Sequence, residues 1–148
     1  MLDARAEMVA TQLRAGGITD PRVLAAMAEI PREEFLPAAV RERAYENGAI
    51  PIGHGQTISQ PLVVATMTEA LRLVGGEGVL EIGTGSGYQA AVLARLCRSV
   101  VTVELEPELA EAARATLARL GLENVKVVTG DGHLGWPPQA PYEAILVL

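Results

Sequence analysis

A glycine-rich turn flanked by carboxylates is the part of this sequence best suited to chemistry. Residues 83–87, Gly-Thr-Gly-Ser-Gly, follow an aliphatic run and precede a helical pattern. Glycine permits positive φ and lets a ligand approach the backbone closely. Glu81 lies just before the turn, and Glu104 ends the next aliphatic run about 20 residues later, the spacing at which a carboxylate binds ribose hydroxyls. The pattern predicts a site for a ligand that contains a ribose; the alternative is a turn that only reverses the chain.

The spacing of the glycines separates two classes of ligand. Dinucleotide folds use Gly-x-Gly-x-x-Gly, whose last glycine lets the helix pack on the strand and present its N-terminus to pyrophosphate. Here the spacing is Gly-x-Gly-x-Gly, and Tyr88 stands where that last glycine would be. S-adenosylmethionine has no pyrophosphate, and its ammonium and sulfonium charges suit Glu81 and Glu104. We therefore expect S-adenosylmethionine, and a nicotinamide-dependent oxidoreductase is the weaker alternative.

A third carboxylate follows the next aliphatic run, in Gly130-Asp131-Gly132. In an open parallel sheet the ligand binds at the carboxyl ends of the strands. We expect Asp131 to accept a hydrogen bond from an adenine amino group there. The alternative is an Asx turn between two glycines.

The elements that position these residues alternate between strand and helix from residue 79 onward. Strands are predicted over 79–82, 100–104, 125–129 and 144–148, and helices over 88–97 and 107–120. The second helix is expected to turn Leu109, Ala113, Thr116, Leu117 and Leu120 inward. This alternation predicts an α/β fold with a mostly parallel sheet joined by right-handed crossovers.

Residues 1–76 are predicted to contain helices and one irregular loop. Asp20-Pro21 is an N-cap followed by proline at the first helical position, and Pro31 ends that helix. A loop over residues 50–60 is too rich in glycine for the interior of an element. Another helix is expected from Pro61 to the Gly75-Gly76 pair. We expect one domain made of two parts, residues 1–76 and 77–148.

Composition limits the class of protein. The chain has 148 residues, a hydrophobic fraction of 49% and a net charge of −6. An acidic surface argues against a nucleic-acid groove, where a basic footprint is expected, and against a polybasic membrane patch. Cys97 is the one cysteine and lies among aliphatic residues, so we expect a core thiol and a cytoplasmic protein.

Three motifs resemble the protein-L-isoaspartate O-methyltransferase family. Residues 51–61, Pro-Ile-Gly-His-Gly-Gln-Thr-Ile-Ser-Gln-Pro, resemble its signature loop. Residues 80–90, Leu-Glu-Ile-Gly-Thr-Gly-Ser-Gly-Tyr-Gln-Ala, resemble its cofactor loop, and residues 130–142 resemble its next segment. The motifs stand in the family's order, and the resemblance covers essentially the whole chain.

The resemblance implies a three-layer, Rossmann-like fold of S-adenosylmethionine-dependent methyltransferases. It implies a repair enzyme that methylates the α-carboxylate of L-isoaspartyl residues in damaged proteins and peptides, releasing S-adenosyl-L-homocysteine. It places Ser59 in the active site and implies a protein without metal that is a monomer in its full-length form. The residues expected to bind the cofactor are Thr57, Ile58, Gln60, Glu81, Gly83, Gly85, Ser86, Gly87, Glu104, Asp131 and Gly132.

The implied chemistry needs little from the protein. The nucleophile is a carboxylate with a reference pKa near ~3.5, so it is ionised at neutral pH and needs no general base. Catalysis would rest on aligning the carboxylate, methyl group and sulfur, with hydrogen bonds holding the carboxylate. The Ser59 hydroxyl and loop amides suit that role. The alternative for Ser59 is an N-cap of the helix that begins at Pro61.

Family members continue beyond a fourth strand, whereas Leu148 is the last residue here. We therefore expect a truncated chain whose sheet is incomplete after the fourth strand. That aliphatic strand is expected beside the first and covered on both faces. An open edge predicts marginal stability and poor activity. Two alternatives remain: a fragment that binds S-adenosylmethionine without turnover, and a methyltransferase for another substrate.

Overall fold

The computed structural model describes residues 1–148. The chain divides into two compact units, Met1–Arg72 and Leu73–Leu148, so the division lies a few residues before the predicted one at residue 76. That both parts make one domain stays a prediction. No helix has the length and hydropathy that a membrane span requires.

The first unit contains three α-helices. α1 (Leu2–Met8) continues into a π-helical segment, Val9–Arg14, followed by α2 (Pro21–Glu29) and later by α3 (Pro61–Ala70). The Asp20 carboxylate accepts a hydrogen bond from the Arg22 amide at 2.9 Å, which confirms the predicted cap. The prediction that α3 reaches Gly75 is wrong. The helix ends at Ala70, and Arg72 turns the chain with a φ of 52°.

A buried polar cluster lies between α1 and the short 3₁₀ helices that follow α2, Arg32–Phe35 and Ala38–Arg43. Arg5 pairs with Glu33 at 3.1 Å, and the Tyr45 hydroxyl donates to Glu33 at 2.6 Å. The Arg5 Nε donates to the same hydroxyl at 2.8 Å. The Tyr45 hydroxyl thus joins the two charged groups. Burial and the Glu33 hydrogen bond raise its pKa.

Residues 50–60 correct a prediction. They form an antiparallel hairpin of β1 (Ile50–Gly53) and β2 (Gln56–Ile58), not an irregular loop. Ile50 and Ile58 are partners in register and both are buried. The glycines that suggested a loop are confined to the turn, where residues 53–55 have positive φ. Pro51 is tolerated because this sheet has only edge strands.

The second unit contains a four-stranded parallel sheet. Its strands are β3 (Gly78–Ile82), β4 (Ser99–Glu104), β5 (Val125–Thr129) and β6 (Ala144–Val147), in the order β5-β4-β3-β6. The predicted α/β class, the mostly parallel sheet and the position of the last strand beside β3 are confirmed.

Two helices cover one face of this sheet. α4 (Tyr88–Ala94) and α5 (Pro107–Arg119) connect strands that step in one direction, so right-handed crossovers place both helices on the same side. α5 buries Leu109, Ala110, Ala113 and Leu117, whereas Thr116 and Leu120, predicted inward, are only half-buried. α4 ends at Ala94, three residues before the predicted end. Cys97 is buried, as expected of a core thiol, and burial raises its pKa to about 11.

An irregular segment forms the third layer on the opposite face. Trp136 and Tyr142 pack on a buried cluster of aliphatic residues, Leu80, Val101, Val103 and Val128. Register places Ile145 and Val147 beside Leu80 and Ile82 on this face, and they are 55% and 65% exposed. The expectation that β6 is covered on both faces is therefore wrong. Only Leu146, which alternates to the helical side, is buried.

Candidate functional site

Three segments of the second unit meet at the carboxyl edge of the sheet. At this edge the hydrogen bonds between neighbouring strands continue one residue beyond the ends of β3 and β5. The Gly83 amide donates to the Val103 carbonyl at 2.8 Å, and the Gly130 amide donates to the Glu104 carbonyl at 2.9 Å. The glycine turn, Glu104 and the segment after β5 are thus neighbours. β3 also lies where the strand order reverses, between β4 and β6, the position at which open α/β sheets bind ligands.

The turn of residues 83–87 has a backbone that needs its glycines. Gly83, Gly85 and Gly87 have φ of 97°, 54° and 91°. A Cβ at Gly87 would lie 3.2 Å from the Cβ of Ala113 on α5, so this glycine also provides space for helix packing. It does so one position earlier than the last glycine of the dinucleotide pattern. The predicted turn is confirmed, and its backbone is open to close approach by a ligand.

Glu104 is fixed in place by the backbone around it. Its Oε1 accepts from the Gly85 amide at 2.8 Å and its Oε2 from the Glu106 amide at 2.8 Å. The side chain is 2% exposed. Each carboxylate oxygen can accept a second hydrogen bond. Glu104 is therefore a pre-oriented acceptor pair beside the glycine turn, which suits vicinal hydroxyls.

Glu81 occupies a different environment, since it is fully buried under the turn. Its Oε1 accepts from the Thr102 hydroxyl at 2.6 Å, whereas Oε2 is a buried atom without a hydrogen-bond partner. Burial raises the pKa of this carboxyl to about 8; the Thr102 hydrogen bond lowers it and the charge of Glu104 raises it. The side chain is thus largely protonated at neutral pH. Direct contact between Glu81 and a cofactor stays a prediction.

Ser86 and Asp131 make local hydrogen bonds. The Ser86 hydroxyl accepts from the Tyr88 amide at 3.2 Å, at the start of α4. Asp131 accepts from the His133 amide at 2.9 Å, which is the Asx turn considered as the alternative. A Cβ at Gly132 would lie 2.5 Å from Ile82 Cγ2, so only glycine fits there. A contact between Asp131 and adenine stays a prediction.

The other predicted site residues, Thr57, Ile58, Ser59 and Gln60, belong to the first unit. Ile58 is buried and Thr57 is exposed at the end of the hairpin. The N-cap of α3 is Gln60, without a side-chain capping bond, so the alternative that Ser59 caps this helix is wrong. The Gln60 amide instead donates to Asn47 Oδ1 at 2.5 Å. Ser59 is half-buried just before the helix.

Two threonines were not singled out by the sequence. The hydroxyls of Thr84 and Thr102 lie 2.6 Å apart, and Thr102 joins them to Glu81. One signal was available: Thr102 is polar within the aliphatic run of β4, where every neighbour is valine. No group of three or more His, Cys, Asp or Glu side chains is arranged to hold a metal ion.

Comparison with known proteins gives a consistent result across the chain. The family model described as protein-L-isoaspartate(D-aspartate) O-methyltransferase matches residues 4–148. A protein-L-isoaspartate O-methyltransferase 1 of Rhodopseudomonas palustris is 59% identical over 97% of this chain and 58% of its own length. A protein-L-isoaspartate O-methyltransferase of Myxococcus xanthus is 60% identical over 93% of this chain and 65% of its own. The chain thus spans about three fifths of the length of these curated relatives.

Solved structures match in the same way. A protein-L-isoaspartate O-methyltransferase structure superposes with a TM-score of 0.88 and 38% identity, covering 97% of this chain and 47% of that one. A Plasmodium falciparum structure, a candidate protein-L-isoaspartate O-methyltransferase in complex with S-adenosyl-L-homocysteine, superposes with a TM-score of 0.80. At 20% identity the second likeness concerns the fold alone.

Proposed function

The chain belongs to the protein-L-isoaspartate(D-aspartate) O-methyltransferase family, and we propose that its second unit binds S-adenosylmethionine for methyl transfer to isoaspartyl carboxylates. One observation carries the proposal. Glu104 is a pre-oriented acceptor pair, held by the Gly85 amide at 2.8 Å, at the edge where the strand order reverses. That is where a ribose is expected in an open α/β sheet.

The residues present fit S-adenosylmethionine. Glu104 retains one acceptor site on each carboxylate oxygen for the two ribose hydroxyls. The turn of residues 83–87 has no side chain at three of its five positions, so a methionine tail can lie close to its amides. The acidic side chains near the turn place no positive charge beside the positively charged sulfonium and ammonium groups of the cofactor. Asp131 and Gly132 are proposed for the adenine side of the site.

The chemistry supplied by the bound cofactor is a methyl group activated by a positively charged sulfur. What the protein contributes is orientation and hydrogen bonding. The isoaspartyl α-carboxylate is already ionised at neutral pH, so no side chain needs to remove a proton. We propose that the Ser59 hydroxyl donates a hydrogen bond to that carboxylate, and that Thr57, Ile58 and Gln60 border the cofactor. These roles rest on the family's signature loop, residues 51–61.

The substrate, the cellular location and the oligomeric state are also proposals. The substrates are damaged proteins and peptides that contain L-isoaspartate, as the names of the relatives support. A net charge of −6 supports a protein rather than a nucleic acid as partner. The single cysteine supports a cytoplasmic location, and we propose that the full-length protein is a monomer.

Two peptides of one sequence test the function, one with L-isoaspartate and one with L-aspartate. The chain is incubated with S-adenosylmethionine labelled in its methyl group, and label in base-labile ester is counted. We expect label on the isoaspartyl peptide alone. Equal labelling of both peptides would indicate another substrate. Binding of S-adenosyl-L-homocysteine with no labelling would leave a cofactor-binding protein without turnover.

Ser59→Ala separates a catalytic role from a structural one. We expect it to lower turnover while the affinity for S-adenosyl-L-homocysteine changes little, because the hydroxyl is assigned to the substrate carboxylate. Thr66→Ala is the control: this hydroxyl donates to the Leu62 carbonyl on an exposed side of α3 and should not affect turnover. Unchanged kinetics in Ser59→Ala would remove Ser59 from the active site.

A further inference from the structure

Three buried side chains link the interior of the sheet to the glycine turn. Glu81 Oε1 accepts from the Thr102 hydroxyl at 2.6 Å, and the Thr102 and Thr84 hydroxyls are also 2.6 Å apart. Each of the three residues is at most 2% exposed. Water therefore cannot replace Glu81 or Thr102, which have no exposed surface, and the loss of either one leaves a buried polar group unsatisfied.

The direction of the chain follows from counting protons. A threonine hydroxyl has one proton to donate. A protonated Glu81 that carries its proton on Oε2, the atom without a hydrogen-bond partner, still accepts from Thr102 through Oε1, so the Thr84 proton goes to Thr102. Glu81 is the final acceptor, and it sets the orientation of both hydroxyls. If Glu81 no longer accepts, the Thr102 hydroxyl is free to donate to Thr84. The hydrogen bond from Thr84 to Thr102 then competes with one in the opposite direction, and the orientation of both hydroxyls is no longer fixed.

Thr84 is the point at which this chain reaches the turn. It lies between Gly83 and Gly85, whose φ values of 97° and 54° belong to a region that few other residues adopt. The Gly85 amide also donates to Glu104. The turn is therefore attached to β4 at two adjacent residues, at Thr84 through Thr102 and at Gly85 through Glu104.

We propose that Glu81 is a positioning residue that holds the glycine turn in shape for S-adenosylmethionine through Thr102 and Thr84, rather than a group that contacts the cofactor. The inference rests on the proposed function and assigns a different task to each of the two buried carboxyls. Glu104 offers acceptor sites to the ligand. Glu81 needs only one acceptor atom, directed at Thr102.

The surroundings of Glu81 support an uncharged side chain in this role. In register it is flanked by Thr102 on β4 and Leu146 on β6. On α4 the only buried titratable residue is Tyr88, and the buried residues of α5 are Leu109, Ala110, Ala113 and Leu117. Glu104 adds a like charge, and burial raises the Glu81 pKa to about 8. A glutamine, which is neutral and keeps the acceptor oxygen, should therefore replace it.

The experiment is the same substitution at both carboxyls. Binding of S-adenosyl-L-homocysteine to the full chain is measured by calorimetry at pH 7 for wild type, Glu81→Gln and Glu104→Gln. We expect Glu81→Gln to bind within about twofold of wild type, because the amide oxygen accepts from Thr102 equally well. Glu104→Gln should bind roughly tenfold or more weakly, since its amide group cannot accept at both positions.

A second set of variants tests the connection itself. Thr84→Val keeps the shape of the side chain and removes the hydroxyl, so binding should weaken by about fivefold, the equivalent of one net hydrogen bond. Glu81→Leu should weaken binding by a similar factor. The double variant should be no weaker than Glu81→Leu alone, because both substitutions interrupt one chain.

The outcomes separate the two claims. If wild type does not bind S-adenosyl-L-homocysteine, the proposed function fails. If wild type binds and Glu81→Gln loses as much affinity as Glu104→Gln, Glu81 contacts the ligand through its charge and the inference is overturned. Independent, additive losses in Thr84→Val and Glu81→Leu would overturn it as well. Thermal unfolding of each variant identifies any that fails to fold. If a Glu81 variant fails to fold, the affinity of Thr84→Val tests the inference instead.

Discussion

Glycine serves two turns of the molecule differently, the hairpin turn of residues 53–55 and the turn of residues 83–87. In the hairpin, residues 53–55 have φ of 97°, 55° and 71°, and a Cβ added at Gly53 or Gly55 would meet nothing within 4 Å. In the turn of residues 83–87, Gly87 has a φ of 91° and its Cβ would lie 3.2 Å from Ala113. The first turn needs glycine for its backbone alone. The second needs it for the backbone and for space.

The two turns also differ in what holds them. The hairpin turn is exposed, and His54 shares its positive φ although it has a side chain. The turn of residues 83–87 is attached to β4 by the Thr84–Thr102 hydroxyls and by the Gly85 amide on Glu104. Glycine content alone therefore indicates flexibility of the backbone, whereas attachment by buried polar groups indicates a rigid turn prepared for a ligand.

The largest expected effect concerns pH, because the second turn is attached to a buried carboxyl. The Glu81 pKa rises from 4.5 to about 8 on folding. A group with a raised folded-state pKa stabilises the fold fully below its unfolded pKa, and this contribution is lost as pH rises through the folded pKa. Stability of the second unit should therefore fall between pH 5 and pH 8, an interval of about three units, by several kcal/mol as an order of magnitude. Urea unfolding followed by Trp136 fluorescence measures it, and Glu81→Gln should flatten the profile.

The next effect tests the two turns against each other. Gly87→Ala adds strain from φ and a close contact with Ala113, so we expect a loss of about 2–4 kcal/mol in the free energy of unfolding. Gly55→Ala adds strain alone and should cost about 1 kcal/mol. Urea unfolding followed by circular dichroism compares both variants. Equal losses would mean that space at Gly87 is not limiting.

A third prediction concerns the ligand edge of the second turn. Glu104→Ala should weaken S-adenosylmethionine binding by about 1.5–3 kcal/mol, the range for hydrogen bonds to a charged group. Glu123→Ala is the matched control, since Glu123 is exposed and precedes β5 at the opposite edge of the sheet. A folded Glu104→Ala variant with wild-type affinity would contradict the assignment.

The smallest effect compares Ser59, which follows the hairpin, with Asp20, the N-cap of α2. Asp20→Ala removes a side-chain cap and should cost about 1 kcal/mol of stability. Ser59→Ala should leave stability unchanged, because the N-cap of α3 is Gln60. Thermal unfolding of the two variants compares them. A comparable loss in Ser59→Ala would show that Ser59 has a structural task after all.

Sequence patterns predicted the second unit well for a physical reason. β3 and β4 are central strands covered on both faces, so they are mainly aliphatic runs; Gly83 follows the first and Glu104 ends the second. The glycine turn and Glu104 were found because their spacing along the chain reflects the length of one strand–helix–strand crossover. The cap at Asp20 was also predictable, because a capping side chain acts on residues next to it in the sequence.

Features that depend on distant neighbours were missed. The hairpin of residues 50–58 was hidden by Pro51 and by two glycines within nine residues. The end of α3 depends on the positive φ of Arg72, a residue type with no preference for it. Thr102 gained its role from the register of β3 and β4, which places it beside Glu81. Local composition does not encode register.

One measurement tests the central claim, that the carboxyl edge of the second unit binds S-adenosylmethionine. Amide chemical shifts are recorded during titration of the ¹⁵N-labelled chain with S-adenosyl-L-homocysteine. The account predicts the largest changes at Gly83, Gly85, Gly87 and the residues around Glu104 and Asp131, and small changes at Gly78 and Asn124 on the amino edge. Changes confined to the amino edge, or no changes at millimolar ligand, would contradict it.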